Sequence, residues 1–150
     1  MNNHSFEIAQ AQVEDLNDIF SLVQDLADYE KEPEAVPADL VEYQRCFEEG
    51  VFEAILAKKD GTTIGMALYY TTFSTWKGRM IYLEDFIVKE PFRKLGVGAM
   101  IFDRFVAISK EKDAKLVKWQ VLDWNTPAVN FYHKKGATIE KNWWNGKIIF

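Results

Sequence analysis

Residues 82–102, YLEDFIVKEPFRKLGVGAMIF, constrain this chain more than any other stretch. Residues 82–88 are rich in aromatic and β-branched side chains, which suit a buried strand. Pro91 stops that strand: its ring removes a backbone donor and biases Glu90 toward an extended form. Arg93-Lys94-Leu95-Gly96-Val97-Gly98 follows, and then Val97, Met100, Ile101, Phe105 and Ile108 recur at helical spacing. A glycine-rich turn therefore delivers backbone N–H groups at a helix N-terminus. Orphan donors and the positive end of the helix dipole favour an anion there.

The spacing rejects two common anions. The dinucleotide pattern G-x-G-x-x-G needs a third glycine where Ile101 stands. The nucleoside triphosphate loop needs a Gly-Lys-Ser/Thr ending, which is absent. Arg-x-x-Gly-x-Gly after an apolar strand remains. Taken alone, that pattern is also compatible with a glycine-built helix cap that binds nothing.

At 150 residues, 48% hydrophobic and 15% aromatic, the chain is expected to form one domain, residues 1–150, with a substantial core. Its net charge of −5 comes from 23 acidic and 18 basic residues without a dominant basic patch, which argues against nucleic acid as partner. Cys46 is the only cysteine, so no intrachain disulfide forms, which fits a reducing, cytoplasmic setting. No apolar run is long enough to cross a bilayer, and the polar Met1-Asn2-Asn3-His4 start is not a signal peptide, so no membrane role is expected. His4 and His133 are too few and too isolated for a metal site.

The pattern predicts a strand over 6–9, helices over 13–29 and 38–49, and strands over 51–58, 63–72 and 79–88. Pro33 and Pro37 interrupt the first helical pattern beside an acidic loop around Asp28, Glu30, Glu32 and Glu34. That loop reads as a solvated turn or as a rim that recruits cations. Asp60-Gly61 marks a hairpin, and Gly65 suits a bulge. A helix ending near Lys112 leads to a strand over 116–121, which a right-handed crossover places parallel to the central strand. Asn125 or Thr126 caps the next helix, Pro127 fits its first turn and Gly136 ends it. Strands over 137–141 and 147–150 around Asn145-Gly146 complete the order β-α-α-β-β-β-α-β-α-β-β. The class is α+β: a mixed, mostly antiparallel sheet flanked by helices.

Arg93, Gly96 and Gly98, with that order, resemble the pyrophosphate loop and fold of the GNAT N-acetyltransferases. Within the family, Tyr82-Leu83-Glu84-Asp85-Phe86, Trp76, Asp28-Tyr29-Glu30, Trp124-Asn125 and Asn130-Phe131-Tyr132 are similar to diamine (spermidine/spermine) and thialysine acetyltransferases. The resemblance implies acetyl-coenzyme A as cosubstrate, a small primary amine as acceptor and a homodimer. It implies a cofactor site of Phe86, Ile87, Val88, Arg93, Lys94, Gly96, Val97, Gly98, Asn125, Asn130 and Tyr132, lying where the central strand parts from the strand at 116–121. A peptide or protein amine is the alternative acceptor, and a module that binds coenzyme A esters without turnover is the alternative class. Ser74-Thr75-Trp76 departs from the Asp-Pro-Trp of the polyamine enzymes, and the chain stops at Phe150 where relatives continue. Both departures bear on polyamine specificity and leave acetyl transfer untouched.

Acetyl transfer needs a neutral amine. A lysine-like ammonium of pKa ~10.4 costs roughly 4.6 kcal/mol to deprotonate at pH 7. Glu84 is assigned as the base acting through water, with Asp85, Trp76 and Glu30 on the substrate side. On a regular strand Glu84 and Asp85 face opposite sides, so both serve one site only if a bulge or strand end re-aims one. Tyr132 is assigned as the donor to the leaving thiolate. A tyrosine near pKa 10 hydrogen-bonds a thiolate of pKa ~8.5 readily, although full transfer is uphill by roughly 2 kcal/mol. Trp76 either packs on the amine's aliphatic stem or anchors a turn. Trp143 and Trp144 belong to the core or to a dimer surface.

Overall fold

A computed structural model describes residues 5–32 and 38–150, so the Pro33, Glu34 and Pro37 part of the acidic loop lies outside the described residues. Two compact units divide the chain, 1–120 and 121–150.

The first unit is a sheet of five strands: β1 (Glu7–Gln10), β2 (Glu53–Lys59), β3 (Thr62–Ser74), β4 (Gly78–Val88) and β5 (Leu116–Trp119). They lie in sequence order, β1 to β4 antiparallel and β5 parallel to β4. The helices are α1 (Leu16–Tyr29), α2 (Leu40–Glu48) and α3 (Val97–Glu111). The helix between β4 and β5 supplies the crossover that a parallel pair requires.

Each face of the sheet takes a different helix set. Leu16, Ile19 and Leu22 of α1 are buried with Ala54, Leu56, Met66, Leu68 and Ile87, and Tyr43 and Phe47 of α2 pack against this cluster. On the other face Phe105 of α3 meets Tyr69, and Phe102 meets both Phe86 and, edge-on at 5.5 Å, Trp119. Gly65 lets α3 approach: a Cβ there would lie 3.0 Å from the Ile87 carbonyl oxygen and from Ile101 Cδ1. The expected irregularity at Gly65 falls beside it, since Ala57 pairs with Gly65 and Lys58 with Thr63, leaving Ile64 as the extra residue. Lys58 Nζ lies 2.8 Å from Asp15 and Thr63 Oγ1 donates to Asp18 at 2.9 Å, which ties β2 and β3 to α1.

In the second unit, α4 (Thr126–Lys134) begins at Asn125, whose side chain accepts from the Ala128 N–H at 3.3 Å. It ends in a Schellman motif: Ala137 N–H donates to the Tyr132 carbonyl and Gly136 N–H to His133, with Gly136 at φ 84°.

The strands expected over 137–141 and 147–150 do not form. The unit carrying them contains no other strand, and a lone two-stranded hairpin is marginal in water. Trp143 and Trp144 are accordingly exposed rather than in a core, with the Trp143 indole N–H donating to Glu140. The strand expected over 116–121 ends earlier, at Trp119.

Candidate active site

The bulge that the Glu84-Asp85 pair requires is present. Tyr69 pairs with Leu83 and Leu68 with Asp85, so Glu84 is an extra residue without an opposite number. The consequence is a change of face. Leu83, opposite Tyr69, and Phe86, against Phe102, lie toward α3. Asp85 and Ile87 lie toward α1 and α2, where Asp85 faces Tyr43 and Glu30. Glu84 turns to that same side: its Oε2 accepts from the Tyr70 hydroxyl at 3.0 Å, and the Tyr70 ring stacks on Tyr82 at 5.4 Å. Glu84, Asp85 and Glu30 are thus brought together.

The electrostatics follow from this crowding. Burial, then the Glu84 and Glu30 carboxylates, push Asp85 up to about 7. Burial and Glu32 raise Glu30. Burial, then Asp85, raises Tyr43, and burial with the hydrogen bond to Glu84 raises Tyr70 strongly. The Glu30, Glu84 and Asp85 carboxylates lie close enough to act on one another, and such a cluster favours an incoming ammonium. A cavity of about 500 Å³ adjoins it beyond Ile87, lined also by Asp28, Tyr29, Lys89, Glu90 and Arg93.

The expected parting of two parallel strands is equally clear. β5 pairs only with Met80 to Leu83, while β4 runs on to Val88. The Lys89 N–H donates to the Ile64 carbonyl at 2.8 Å, which fixes the phase of the ladder. Phe86 and Val88 therefore direct their main-chain N–H and C=O groups away from β3, to the side from which β5 has diverged. One acceptor position there is taken, because the Val88 carbonyl accepts from Arg93 Nε at 2.8 Å.

Beyond β4, residues Glu90–Phe92 form a 3-10 turn, and the loop then passes through Lys94 (φ 64°) and Gly96 (φ 82°) into α3. Gly96 is the N-cap and offers no side chain to the helix end. The first intrahelical bond runs from Met100 N–H to the Gly96 carbonyl, so the N–H groups of Val97, Gly98 and Ala99 stand outside the ladder. Val97 is buried and anchors this turn. A Cβ on Gly98 would meet the Phe86 ring at 3.6 Å, an ordinary van der Waals contact, so the first turn of α3 lies against β4. These residues fit a pyrophosphate group. Arg93 is half-buried, its guanidinium 4.9 Å from the Tyr29 ring centre, and so it also fastens the loop to α1.

Other assigned residues are placed as follows. Asn125, Asn130 and Tyr132 all lie in the second unit, at the cap and on the body of α4; Tyr132 is buried and its ring meets Phe131 edge-on. Trp76 is 85% exposed at the tip of the β3–β4 hairpin. At about 3.3 Å per residue it stands roughly 20 Å or more from Glu84, so this chain does not bring it to its own acidic pair. Tyr43 and Tyr70 had not been singled out from the sequence. Only the β3–β4 register and the seating of α2 bring them to the carboxylates.

A parallel strand pair that parts beside a glycine turn at a helix N-terminus is the architecture of a transferase that holds a phosphate-bearing thioester. Residues 15–137 match the acetyltransferase (GNAT) family, and the chain belongs to it. It is 34% identical over 140 residues to thialysine N-epsilon-acetyltransferase of Bos taurus, covering 87% of this chain and 82% of that one. It is 29% identical over 150 residues to spermidine/spermine N(1)-acetyltransferase-like protein 1 of Homo sapiens, covering 92% of this chain and 22% of that one. Among solved structures, an aminoglycoside acetyltransferase from an uncultured soil metagenomic sample superposes with a TM-score of 0.84 at 16% identity, over 100% of this chain and 99% of that one. The family uses acetyl-coenzyme A as cosubstrate, and the chain is an acetyltransferase by descent.

Proposed function

We propose that this protein transfers the acetyl group of acetyl-coenzyme A to a primary amine of a small, diamine-like molecule such as thialysine. The observation that carries the reading is the β4 bulge. It turns two adjacent carboxylates to one side of the sheet, next to Glu30. Such a place attracts an ammonium and can take its proton. The similarity to thialysine N-epsilon-acetyltransferase over 87% of the chain supports the choice of acceptor.

In this reading the α3 N-terminus and the loop of Arg93, Lys94, Gly96, Val97 and Gly98 receive the pyrophosphate. The β4 edge receives the pantetheine amides as an added strand would, on the outward main-chain groups of Phe86 and Val88 with Ile87 between them. The cosubstrate supplies the acetyl group as a thioester. Tyr132 donates to the leaving thiolate, and Asn125 and Asn130 support the cofactor from α4. Glu30 and Asp85 hold the amine. Trp76 is the weakest member of the set, given its distance along the hairpin. The family match crosses from the first unit into the second, which supports a single acetyltransferase domain.

We further read the protein as a cytoplasmic homodimer. The exposed Trp143, Trp144, Ile148, Ile149 and Phe150 support association, and sedimentation equilibrium tests it. The function is tested by incubating the protein with acetyl-coenzyme A and a panel of diamines, basic amino acids, polyamines and lysine peptides. N-acetylated products are then read by mass spectrometry. Small diamine-like acceptors are expected to react. Products from peptides alone would replace the reading with peptide acetylation.

A further inference from the structure

We propose that Asp85, rather than Glu84, takes the proton from the incoming ammonium, and that Tyr70 holds Glu84 away from that task. The inference rests on the functional reading above and adds the identity of the proton acceptor.

The bulge makes the two carboxylates neighbours on one side of the sheet but gives them different surroundings. Glu84 is exposed, and its Oε2 is engaged by the Tyr70 hydroxyl at 3.0 Å. Tyr70 is held in turn by its stack on Tyr82. That hydrogen bond occupies one of the two oxygens with which Glu84 could take a proton. Asp85 sits one step deeper, opposite Leu68 and on the same face as Ile87. Among the described residues it has neither hydrogen bond nor ion pair.

The titratable groups facing Asp85 are Glu30 from the end of α1, Tyr43 from α2, Tyr70 from β3 and Glu84 beside it on β4. None of the four is a cation, so a proton or a cationic ligand is what neutralises its charge. Burial first, then Glu84 and Glu30, hold Asp85 up to about 7. The match to the acceptor follows. Proton transfer from an ammonium of pKa ~10.4 is unfavourable by a factor of roughly 10³ toward such a group, against roughly 10⁶ toward a carboxylate of ordinary acidity.

The step balances without any further reactant. The ammonium gives one proton to an Asp85 Oδ atom. The freed lone pair forms the N–C bond at the thioester carbonyl. The C–S bond breaks with its electron pair on sulfur, the second nitrogen proton converts that sulfur to a thiol, and Asp85 passes its proton to water. One proton is released per ammonium acetylated.

The test compares pH profiles of kcat/KM for the wild type, Asp85→Asn, Asp85→Glu and Glu84→Gln. It is paired with carbon-13 carboxyl NMR titration of the aspartates in the free protein. The expected result is an acidic limb with its midpoint near the Asp85 titration, kept in Glu84→Gln and lost in Asp85→Asn. Asp85→Asn falls by about 10² to 10⁴ in kcat/KM at neutral pH, and Asp85→Glu restores part of the loss with a displaced limb. Removing the charge is expected to stabilise the fold at neutral pH, so the loss is not one of folding. A limb that survives Asp85→Asn, or disappears in Glu84→Gln, overturns the assignment, as does an Asp85 carboxyl titrating in the ordinary aspartate range. Wild type inert toward every amine overturns the functional reading itself and this assignment with it.

Discussion

Replacing Asp85 by Asn removes a charge that the fold disfavours, and the structure sets the size and sign of the effect. Burial and two neighbouring carboxylates raise Asp85 from 3.8 to about 7. At about 1.4 kcal/mol per unit, the ionised aspartate costs the folded state roughly 4 kcal/mol. Because the folded value lies above the unfolded one, this cost is absent below about pH 4. It grows as pH rises toward 7 and is complete above it. Asn has nearly the same shape and no charge. Wild type and variant are therefore expected to unfold alike near pH 4. The variant then gains up to roughly 1.4 kcal/mol per pH unit until the gap levels off above pH 7. For a chain of this size the full gap corresponds to roughly 10 °C in melting temperature. Urea unfolding of both proteins from pH 4 to 8.5 measures it, and taking the difference cancels every group they share. A gap that does not change with pH, or a wild type that is the more stable protein at pH 8, refutes the reasoning.

Gly65→Ala places a methyl group 3.0 Å from the Ile87 carbonyl and from Ile101, and is expected to destabilise the fold by about 1–3 kcal/mol in urea unfolding. Gly96→Ala forces an L-residue to φ 82° at the α3 N-cap; it should cost about 1–2 kcal/mol of stability and weaken coenzyme A binding measured by calorimetry. Tyr132→Phe keeps the aromatic packing and removes the hydroxyl, so kcat should fall while the calorimetric affinity for acetyl-coenzyme A stays within about twofold; normal turnover refutes the donor role.

The sequence was most legible where a requirement was local. The strand at Tyr82 to Val88, the glycine turn and the helix after it are each specified by neighbouring residues, and the structure places all three as read. The bulge at Glu84 was posed as a condition, since two adjacent carboxylates cannot share a side of a regular strand. The register supplied the answer. Tyr43 and Tyr70 escaped because their role depends on which residues end up opposite one another, and nothing in YYTTF or LVEYQ encodes that. Trp76 enters through the family resemblance and reads equally as a wall for the amine's stem and as a turn anchor; within this chain the length of the β3–β4 hairpin places it at the turn. Asn145-Gly146 between apolar residues signals a hairpin, yet a turn signal alone does not make strands, and a ladder also needs a neighbouring strand within reach.

A crystal structure of the protein with coenzyme A tests the central claim most directly. The expected result is pantetheine lying along β4 beyond Leu83, its amides paired with main-chain groups of Phe86 and Val88, and the pyrophosphate on the N–H groups of Val97, Gly98 and Ala99. Coenzyme A bound elsewhere, with the divergence between β4 and β5 closed, contradicts the account.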